Sequence, residues 1–250
     1  DLKDITPIKL QEFFNGLANE YAPATLQKVK NILKPAFQKA VDNNMLKKNP
    51  MAGVELPKQV KPLIHALSEN EITRLCEAAK EYRLYSAIVL VLQTGLRIGE
   101  LLALTWKDFK PSKRMLYINK TLIQVKDEQG STIKQIQHST KTDSSNRTIP
   151  LNAGAKSILS DHMLDAGEML TSEKLIFSTK SGNPYDYGNF NRTLASICKK
   201  AGIQRITAHS LRHTFATQLH EKGANIKALS EILGHKKATT TLDMYVHPSS

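Results

Sequence analysis

Two histidines and an arginine lie close together in the stretch TAHSLRHTFATQLHEKG. Thr207 and Gly223 are residue types favoured at the two ends of a helix, so the stretch is predicted to form one helix. At about 100° per residue, His209, Arg212 and His213 then fall on one third of the circumference. A guanidinium can bind two oxygens of a phosphate, and an imidazole exchanges a proton near neutral pH. The helix is therefore a candidate phosphate-binding element.

Two alternatives fit this helix. His209 and His213 have the i, i+4 spacing of a zinc pair, but the zinc hydrolase motif needs Glu where the chain has Ser210. The polar face can also be solvated and without function. The helix alone leaves all three interpretations open.

Three further stretches carry residues that could act on a phosphate. Arg97 and Glu100 lie one turn apart in LQTGLRIGELLALTW, which also fits a surface ion pair worth less than about 1 kcal/mol. Lys141 lies in a turn of STKTDSSNRTIPL, where a lysine is usually solvated. His235 and Tyr245 lie in ILGHKKATTTLDMYVH, and a tyrosine with this spacing is more often a core residue than a catalytic one. Taken singly, none of these residues indicates catalysis.

The elements that position these residues are predicted to be mostly helices. Residues 7–22 and 24–44 have amphipathic helical patterns, and Pro35 is expected to kink or split the second helix. Ser68 begins another helix, with Glu71 at the capping-box position. Residues 114–151 alternate polar with β-branched or aromatic residues, which predicts a small antiparallel sheet of about three strands. The fold class is therefore mainly α with a small antiparallel β-sheet.

The composition divides the chain and limits its function. Prolines and lysines mark residues 57–66 as a linker between a helical domain, 1–56, and a larger domain, 67–250. The chain has 35 Lys and Arg against 23 Asp and Glu, a net charge of +12, which fits a nucleic-acid footprint or a solvated basic surface. The longest apolar run is too short for a membrane span, and the two cysteines match no metal or redox spacing. We therefore expect a cytoplasmic protein.

Together, in chain order, the stretches resemble the motifs of the tyrosine recombinases, or phage-type integrases. The matching motifs are TGLRIGELLALTW, TKTDSSNRTIPL, HSLRHTFAT and ILGHKKATTTLDMYVH. They cover residues 66 to 247, and their joint occurrence is far more specific than any one of them. The N-terminal helical segment is also similar to the end of that family's core-binding domain, so we expect residues 1–56 to be an N-terminally truncated copy of it.

The resemblance implies a chemistry for each matched residue. Tyr245 attacks a DNA phosphodiester, forms a 3′-phosphotyrosyl link and releases a 5′-hydroxyl, without metal or cofactor. The implied helpers are Arg97 and Arg212, which bind the non-bridging oxygens, His209 as general base, Lys141 as general acid, and His235, which hydrogen-bonds the phosphate or seats the tyrosine. Glu100 is expected to orient an arginine or to form a structural ion pair, and His213 to pack beside the site or to hydrogen-bond a residue of it.

The resemblance also implies partners. The two domains are expected to close as a C-shaped clamp on double-stranded DNA at attachment or core sites, with Lys28, Lys30 and Lys34 as candidate backbone contacts. We expect a homo-oligomer of two to four subunits on DNA, accessory excision or host DNA-bending proteins, and a bacterial, nucleoid-associated location. The implied function is integration and excision of a mobile element such as a phage or conjugative transposon.

Two other functions remain open at this point. A type IB topoisomerase uses a nearly equivalent site to relax DNA, and a protein of the same fold can bind DNA without catalysis. The presence of all six matched groups speaks against the silent binder, and the HSLRHTFA spelling favours the recombinase. Only five residues follow Tyr245, fewer than in many members, which puts the family's usual contacts between subunits in doubt.

Overall fold

The computed structural model describes residues 2–57, 65–138, 146–165, 167 and 171–235. The chain divides into two compact units, Asp1–Leu63 and Ile64–Ser250. The boundary between these units lies inside the stretch 57–66 that the composition marked as a linker. Lys141 and Tyr245 lie outside the described residues.

The first unit contains a short 3₁₀ helix, Leu2–Asp4, and two longer helices, α1 (Pro7–Ala18) and α2 (Pro23–Asp42). Each long helix begins with a proline, whose missing N–H is not needed in the first turn. The apolar faces of these helices enclose a small core that contains Leu10, Phe14, Leu26, Phe37, Met51 and Val54.

A split at Pro35, one of the two expected outcomes, does not occur: α2 continues as one helix on both sides of the proline. Leu26 before the proline and Phe37 after it are both buried in the same core. Packing of the two halves on one surface therefore outweighs the loss of one backbone hydrogen bond.

The described part of the second unit is mostly helical. Its helices are α3 (Glu69–Ala79), α4 (Tyr85–Thr94), α5 (Ile98–Ala103), α6 (Ala153–Asp165), α7 (Tyr187–Ala201), α8 (Ala208–Glu221) and α9 (Ile226–Leu233). Helix α4 is apolar on every side and is buried along Ala87–Leu92, so it forms the centre of the core. The predicted capping box of Ser68 and Glu71 begins α3.

The strands form two small antiparallel sheets instead of the single sheet of about three strands that we predicted. One sheet has the order β1 (Phe109–Lys110), β2 (Met115–Ile118), β5 (Arg147–Pro150), and the other is the hairpin of β3 (Lys120–Lys126) and β4 (Thr132–His138). Side chains hold the hairpin against the segment that begins α7. They include Tyr187, whose hydroxyl donates to the Leu122 carbonyl, and Gln124, which donates to Asp186 at 2.7 Å.

The fold class is confirmed: the chain is mainly α with small antiparallel sheets. Among the described helices, none combines the length and apolar character that a membrane crossing requires.

Candidate active site

Helices α5, α8 and α9 bring the described candidate residues together, and the two ends of α8 are where the sequence predicted them. Thr207 is the N-cap of α8, and Gly223 follows that helix with a φ of +83°. Gly234 ends α9 with a φ of +66°, a left-handed conformation that favours glycine. Arg97 is the N-cap of the short helix α5, and His235 directly follows Gly234.

Gly95 lets the turn between α4 and α5 approach α8 and α9 closely. Its φ is +64°, and a Cβ at this position would lie 2.4 Å from Phe215 of α8 and 2.8 Å from Leu233 of α9. A larger residue would push the turn away from both helices. The glycine therefore sets the distance between Arg97, two residues later, and the end of α9.

Arg212 is the buried centre of the site, with 2% of its surface exposed. Its Nη1 donates to the Gly95 carbonyl at 2.7 Å, and its Nη2 donates to the Leu233 carbonyl at 2.7 Å. The same Nη2 lies 2.9 Å from Nε2 of His235. Because a guanidinium has no acceptor, Nε2 of His235 must accept, and a neutral His235 then carries its proton on Nδ1.

His235 is held in the neutral form by this environment. Burial lowers the pKa of the imidazole to about 4, and the positive charges of Arg212, Arg97 and Arg147 contribute in the same direction. At neutral pH this histidine can therefore act as a hydrogen-bonding group, and it adds no charge to the site.

Arg97 is anchored but still partly open to solvent, with 41% of its side chain exposed. Its Nη1 donates to Glu100 Oε1 at 2.9 Å, its backbone N–H donates to Glu100 Oε2 at 2.9 Å, and its Nη2 donates to the Gly234 carbonyl at 2.8 Å. The expected role of Glu100 in orienting an arginine fits these contacts, which go beyond a surface ion pair because Glu100 is buried.

Arg147 is a member of this cluster that the sequence reading did not single out. Its two terminal nitrogens donate to the two oxygens of Glu100 at 2.8 Å each, and its side chain is 8% exposed. Burial raises the pKa of Glu100, but the hydrogen bonds and charges of Arg147 and Arg97 outweigh it, so the net pKa is lowered and the carboxyl stays ionised. Arg147 lies within the quoted TKTDSSNRTIPL stretch, and an arginine beginning a short, half-buried strand was the available signal.

Three consecutive backbone carbonyls at the end of α9 each accept a hydrogen bond from a different arginine. The C-terminus of a helix carries partial negative charge and unsatisfied carbonyls, so cations stabilise it. The pairs are Arg147 Nε with Ile232 O (2.6 Å), Arg212 Nη2 with Leu233 O (2.7 Å) and Arg97 Nη2 with Gly234 O (2.8 Å).

Two histidines of α8, His209 and His213, precede and follow Arg212 in the helix. Partial desolvation lowers the pKa of His209, and the charges of Arg212 and Arg97 lower it further, although the residue is exposed at the surface. His213 is half-buried, its pKa is lowered by desolvation and by His209, and its Nδ1 lies 3.3 Å from the Thr217 hydroxyl. Within the described ranges, no three His, Cys, Asp or Glu residues form a metal-binding group.

The three lysines predicted to contact DNA all lie on α2 of the first unit. Lys28 and Lys34 are exposed. Lys30 is half-buried and donates to the Val54 carbonyl, so its ammonium group stabilises its own unit. Lys141 and Tyr245, the predicted acid and nucleophile, lie outside the described residues, and their roles stay predictions.

Two arginines and two histidines form a group that can bind a phosphate: Arg97, Arg212, His209 and His235. Comparison with known proteins identifies the family to which the chain belongs. A family model described as the phage integrase family matches residues 65–250. The chain belongs to the phage integrase family. It is therefore a tyrosine recombinase, an enzyme of site-specific recombination, and the resemblance drawn from the motifs is confirmed.

Two relatives in this family align with nearly the whole chain. The tyrosine recombinase XerC-like protein of Caldanaerobacter subterraneus subsp. tengcongensis is 33% identical over 263 residues, which covers 97% of this chain and 67% of that protein. The transposase from transposon Tn916 of Enterococcus faecalis is 30% identical over 246 residues, covering 92% of this chain and 60% of the transposase.

Solved structures agree with this assignment. The Tn1549 transposon integrase, in complex with transposon right end DNA, has a TM-score of 0.84 and 25% identity, and the match covers 98% of this chain and 82% of the integrase. A lambda integrase dimer bound to a core site has a TM-score of 0.71 at 22% identity, covering all of this chain and 83% of that one, which is a likeness of fold.

Proposed function

We propose that this recombinase cleaves and rejoins DNA strands at specific sites through a 3′-phosphotyrosyl intermediate on Tyr245, for integration and excision of a mobile element. The observation that carries this proposal is the meeting of Arg97 and Arg212 at the end of α9, beside His209 and His235. The segment that contains Tyr245 begins directly after that end.

The chemistry follows from the charges of this group. Attack by the Tyr245 oxygen forms an O–P bond and breaks the bond from phosphorus to the 5′-oxygen, so negative charge grows on the non-bridging oxygens. Arg97 and Arg212 are fixed by backbone carbonyls and can stabilise that charge without reorganising. Two cations against a phosphodiester with one negative charge suit a transition state that carries more charge than the ground state.

The two proton transfers of the cleavage step each have a candidate residue, a base for the tyrosine proton and an acid for the leaving 5′-oxygen. An unperturbed phenol has a pKa near 10, so attack at neutral pH needs a base. The lowered pKa of His209 keeps its imidazole neutral, and therefore able to accept the Tyr245 proton, at pH 7. Lys141 is proposed to give a proton to the leaving 5′-oxygen. The phosphotyrosyl bond conserves the energy of the broken bond, so the reverse attack by a 5′-hydroxyl reseals a strand.

The partner is proposed to be double-stranded DNA, bound by a homo-oligomer of this chain. The net charge of +12 and the likeness to an integrase solved with transposon DNA support this proposal. Of the three lysines predicted to contact DNA, Lys28 and Lys34 are exposed and are the better candidates for backbone contacts. Accessory excision or DNA-bending proteins are proposed as further partners for a mobile-element function.

The proposal is tested with a nicked copy of the attachment site, which traps the covalent intermediate because the cut strand diffuses away. We expect a protein–DNA adduct on a denaturing gel, absent in Tyr245→Phe and retained in the control Tyr21→Phe, which changes an exposed tyrosine of the first unit. Tight binding of the verified site without an adduct would show a catalytically silent DNA-binding protein. Relaxation of arbitrary supercoiled DNA would show topoisomerase activity.

A further inference from the structure

We propose that Arg147 is a positioning residue for strand cleavage, which keeps Arg97 directed at the DNA phosphate and fixes the end of α9. This inference rests on the proposed function, since it assigns Arg147 a role in the same site. Arg147 is placed at the first residue of β5, and its side chain points between α5 and α9.

Two arginines, Arg97 and Arg147, share the buried carboxylate of Glu100. Oε1 of Glu100 accepts from Nη1 of both Arg97 and Arg147, at 2.9 and 2.8 Å. Oε2 accepts from the Arg97 backbone N–H and from Nη2 of Arg147, at 2.9 and 2.8 Å. Arg147 therefore makes the bidentate pair with Glu100, while the Arg97 guanidinium gives it a single hydrogen bond.

Without Arg147, the Glu100 carboxylate would need another cation. The Glu100 side chain is 5% exposed, and a buried carboxylate without a full partner strongly destabilises the fold. Arg97 is the cation that can move, since it is half-exposed and makes one bond with Glu100. It would rotate toward Glu100 to form the bidentate pair itself, leaving the Gly234 carbonyl and the place where a phosphate would bind.

Arg147 also contacts the main chain that precedes the segment of the proposed nucleophile. Arg147 Nε donates to the Ile232 carbonyl at 2.6 Å, and its guanidinium packs so closely on Gly234 that a Cβ there would lie 2.8 Å from Nη1. Arg147 thus holds the last turn of α9 from one side, while Arg212 holds it from the other through Leu233. Removing Arg147 would release the residues that lead into the Tyr245 segment.

The net charge of the whole cluster also depends on Arg147. Three guanidiniums and one carboxylate leave two positive charges, and the histidines stay neutral at pH 7. Arg147 offsets Glu100, so that Arg97 and Arg212 present their full charge to the phosphate. Displacing a charged group of such a site by about 1 Å can lower the reaction rate by the order of a hundredfold.

The test compares Arg147→Met, Arg147→Lys, Glu100→Gln and the double variant Arg147→Met with Glu100→Gln. The readouts are the single-turnover rate of adduct formation on the nicked site, DNA affinity by a gel-shift assay, and the melting temperature. The control is Arg74→Met, which removes an exposed arginine that donates to the Gly202 carbonyl at 3.2 Å on another side of the unit.

We expect Arg147→Met to slow cleavage by about 10- to 100-fold with little change in DNA affinity. In the double variant Glu100 no longer carries a charge that attracts Arg97, so the cleavage rate should recover by about tenfold over Arg147→Met. Arg147→Lys keeps the charge but cannot bind both Glu100 oxygens and the Ile232 carbonyl, so its rate should fall between the wild type and Arg147→Met. Arg74→Met should cleave like the wild type.

Two results would show that Arg147 has a purely structural role. In one, the cleavage rate follows the folded fraction of each variant. In the other, adding Glu100→Gln to Arg147→Met fails to restore the rate. If Arg147→Met does not fold, Arg147→Lys decides, since a wild-type rate in a folded lysine variant overturns the inference. The two proposals fail separately. A wild-type protein that forms no adduct overturns the proposed function, whereas a wild-type adduct with an unaffected Arg147→Met rate overturns this inference alone.

Discussion

Two buried ion clusters in the second unit use similar parts but differ in charge and access. The Glu100 cluster, made of Arg97, Glu100 and Arg147, has two cations for one anion, and Arg97 is 41% exposed. Its surplus cation points toward the surface beside Arg212.

The Asp108 cluster, made of Thr105, Asp108 and Lys120, is balanced and closed. Lys120 Nζ lies 2.6 Å from Asp108 Oδ2 and donates to the Thr105 hydroxyl at 2.8 Å. Asp108 Oδ2 also accepts from the Thr105 backbone N–H at 2.8 Å. The side chains of Lys120 and Asp108 are 6% and 2% exposed, so this cluster holds the start of β3 against the turn after α5.

The difference separates architecture from function. A closed cluster whose charges cancel has no electrostatic capacity left for a ligand. A cluster with a surplus cation, held rigidly and open on one side, is suited to bind an anion, and its buried anion serves to orient that cation. We therefore expect the Asp108 cluster to control stability and the Glu100 cluster to control catalysis.

The largest expected effect is on stability and comes from Lys120→Met. It leaves the Asp108 carboxylate buried without its cation, which we expect to lower the free energy of unfolding by about 3–5 kcal/mol. The measurement is urea unfolding, with Lys107→Met as the control, because the Lys107–Glu173 pair is exposed and worth less than about 1 kcal/mol. Cleavage per folded molecule should be unchanged, and a specific loss of cleavage would break the comparison.

The converse is expected for Arg97→Met. Glu100 keeps its bidentate partner Arg147, so the free energy of unfolding should change by less than about 1 kcal/mol. The single-turnover rate of adduct formation should fall by about 10²–10³, the usual cost of one fixed donor at a developing charge. If Arg97→Met unfolds the protein as readily as Lys120→Met does, the Glu100 cluster is architectural as well.

The smallest expected effect is a pH dependence of the free energy of unfolding that comes from His235, beside the Glu100 cluster. The folded pKa of His235, about 4, lies below its unfolded value of about 6.5, so the unfolded chain binds more protons between these values. Stability contributed by neutral His235 should therefore be full above pH 6.5 and be lost as the pH falls toward 4. Urea unfolding at pH 7 and pH 5 should show a smaller loss in His235→Asn, and an equal loss would contradict the assignment.

The sequence by itself determined the features that a few neighbouring residues encode. The caps at Ser68 and Thr207 are confirmed because each depends on contacts within one helical turn. The mainly helical fold class followed from periodicity, and the family followed from four short motifs in order. The resemblance of these motifs to the family also selected Arg97, His209, Arg212 and His235, which the structure brings to one place.

Only the tertiary structure decided how that site is held. Arg147 finds Glu100 across 47 residues of chain and the Ile232 carbonyl across 85, and no local pattern encodes a partner at such separation. Packing across distant segments likewise kept α2 in one piece at Pro35 and divided the strands into two sheets. Backbone carbonyls carry no sequence signature, so their capture by three arginines at the end of α9 follows from the folded geometry alone.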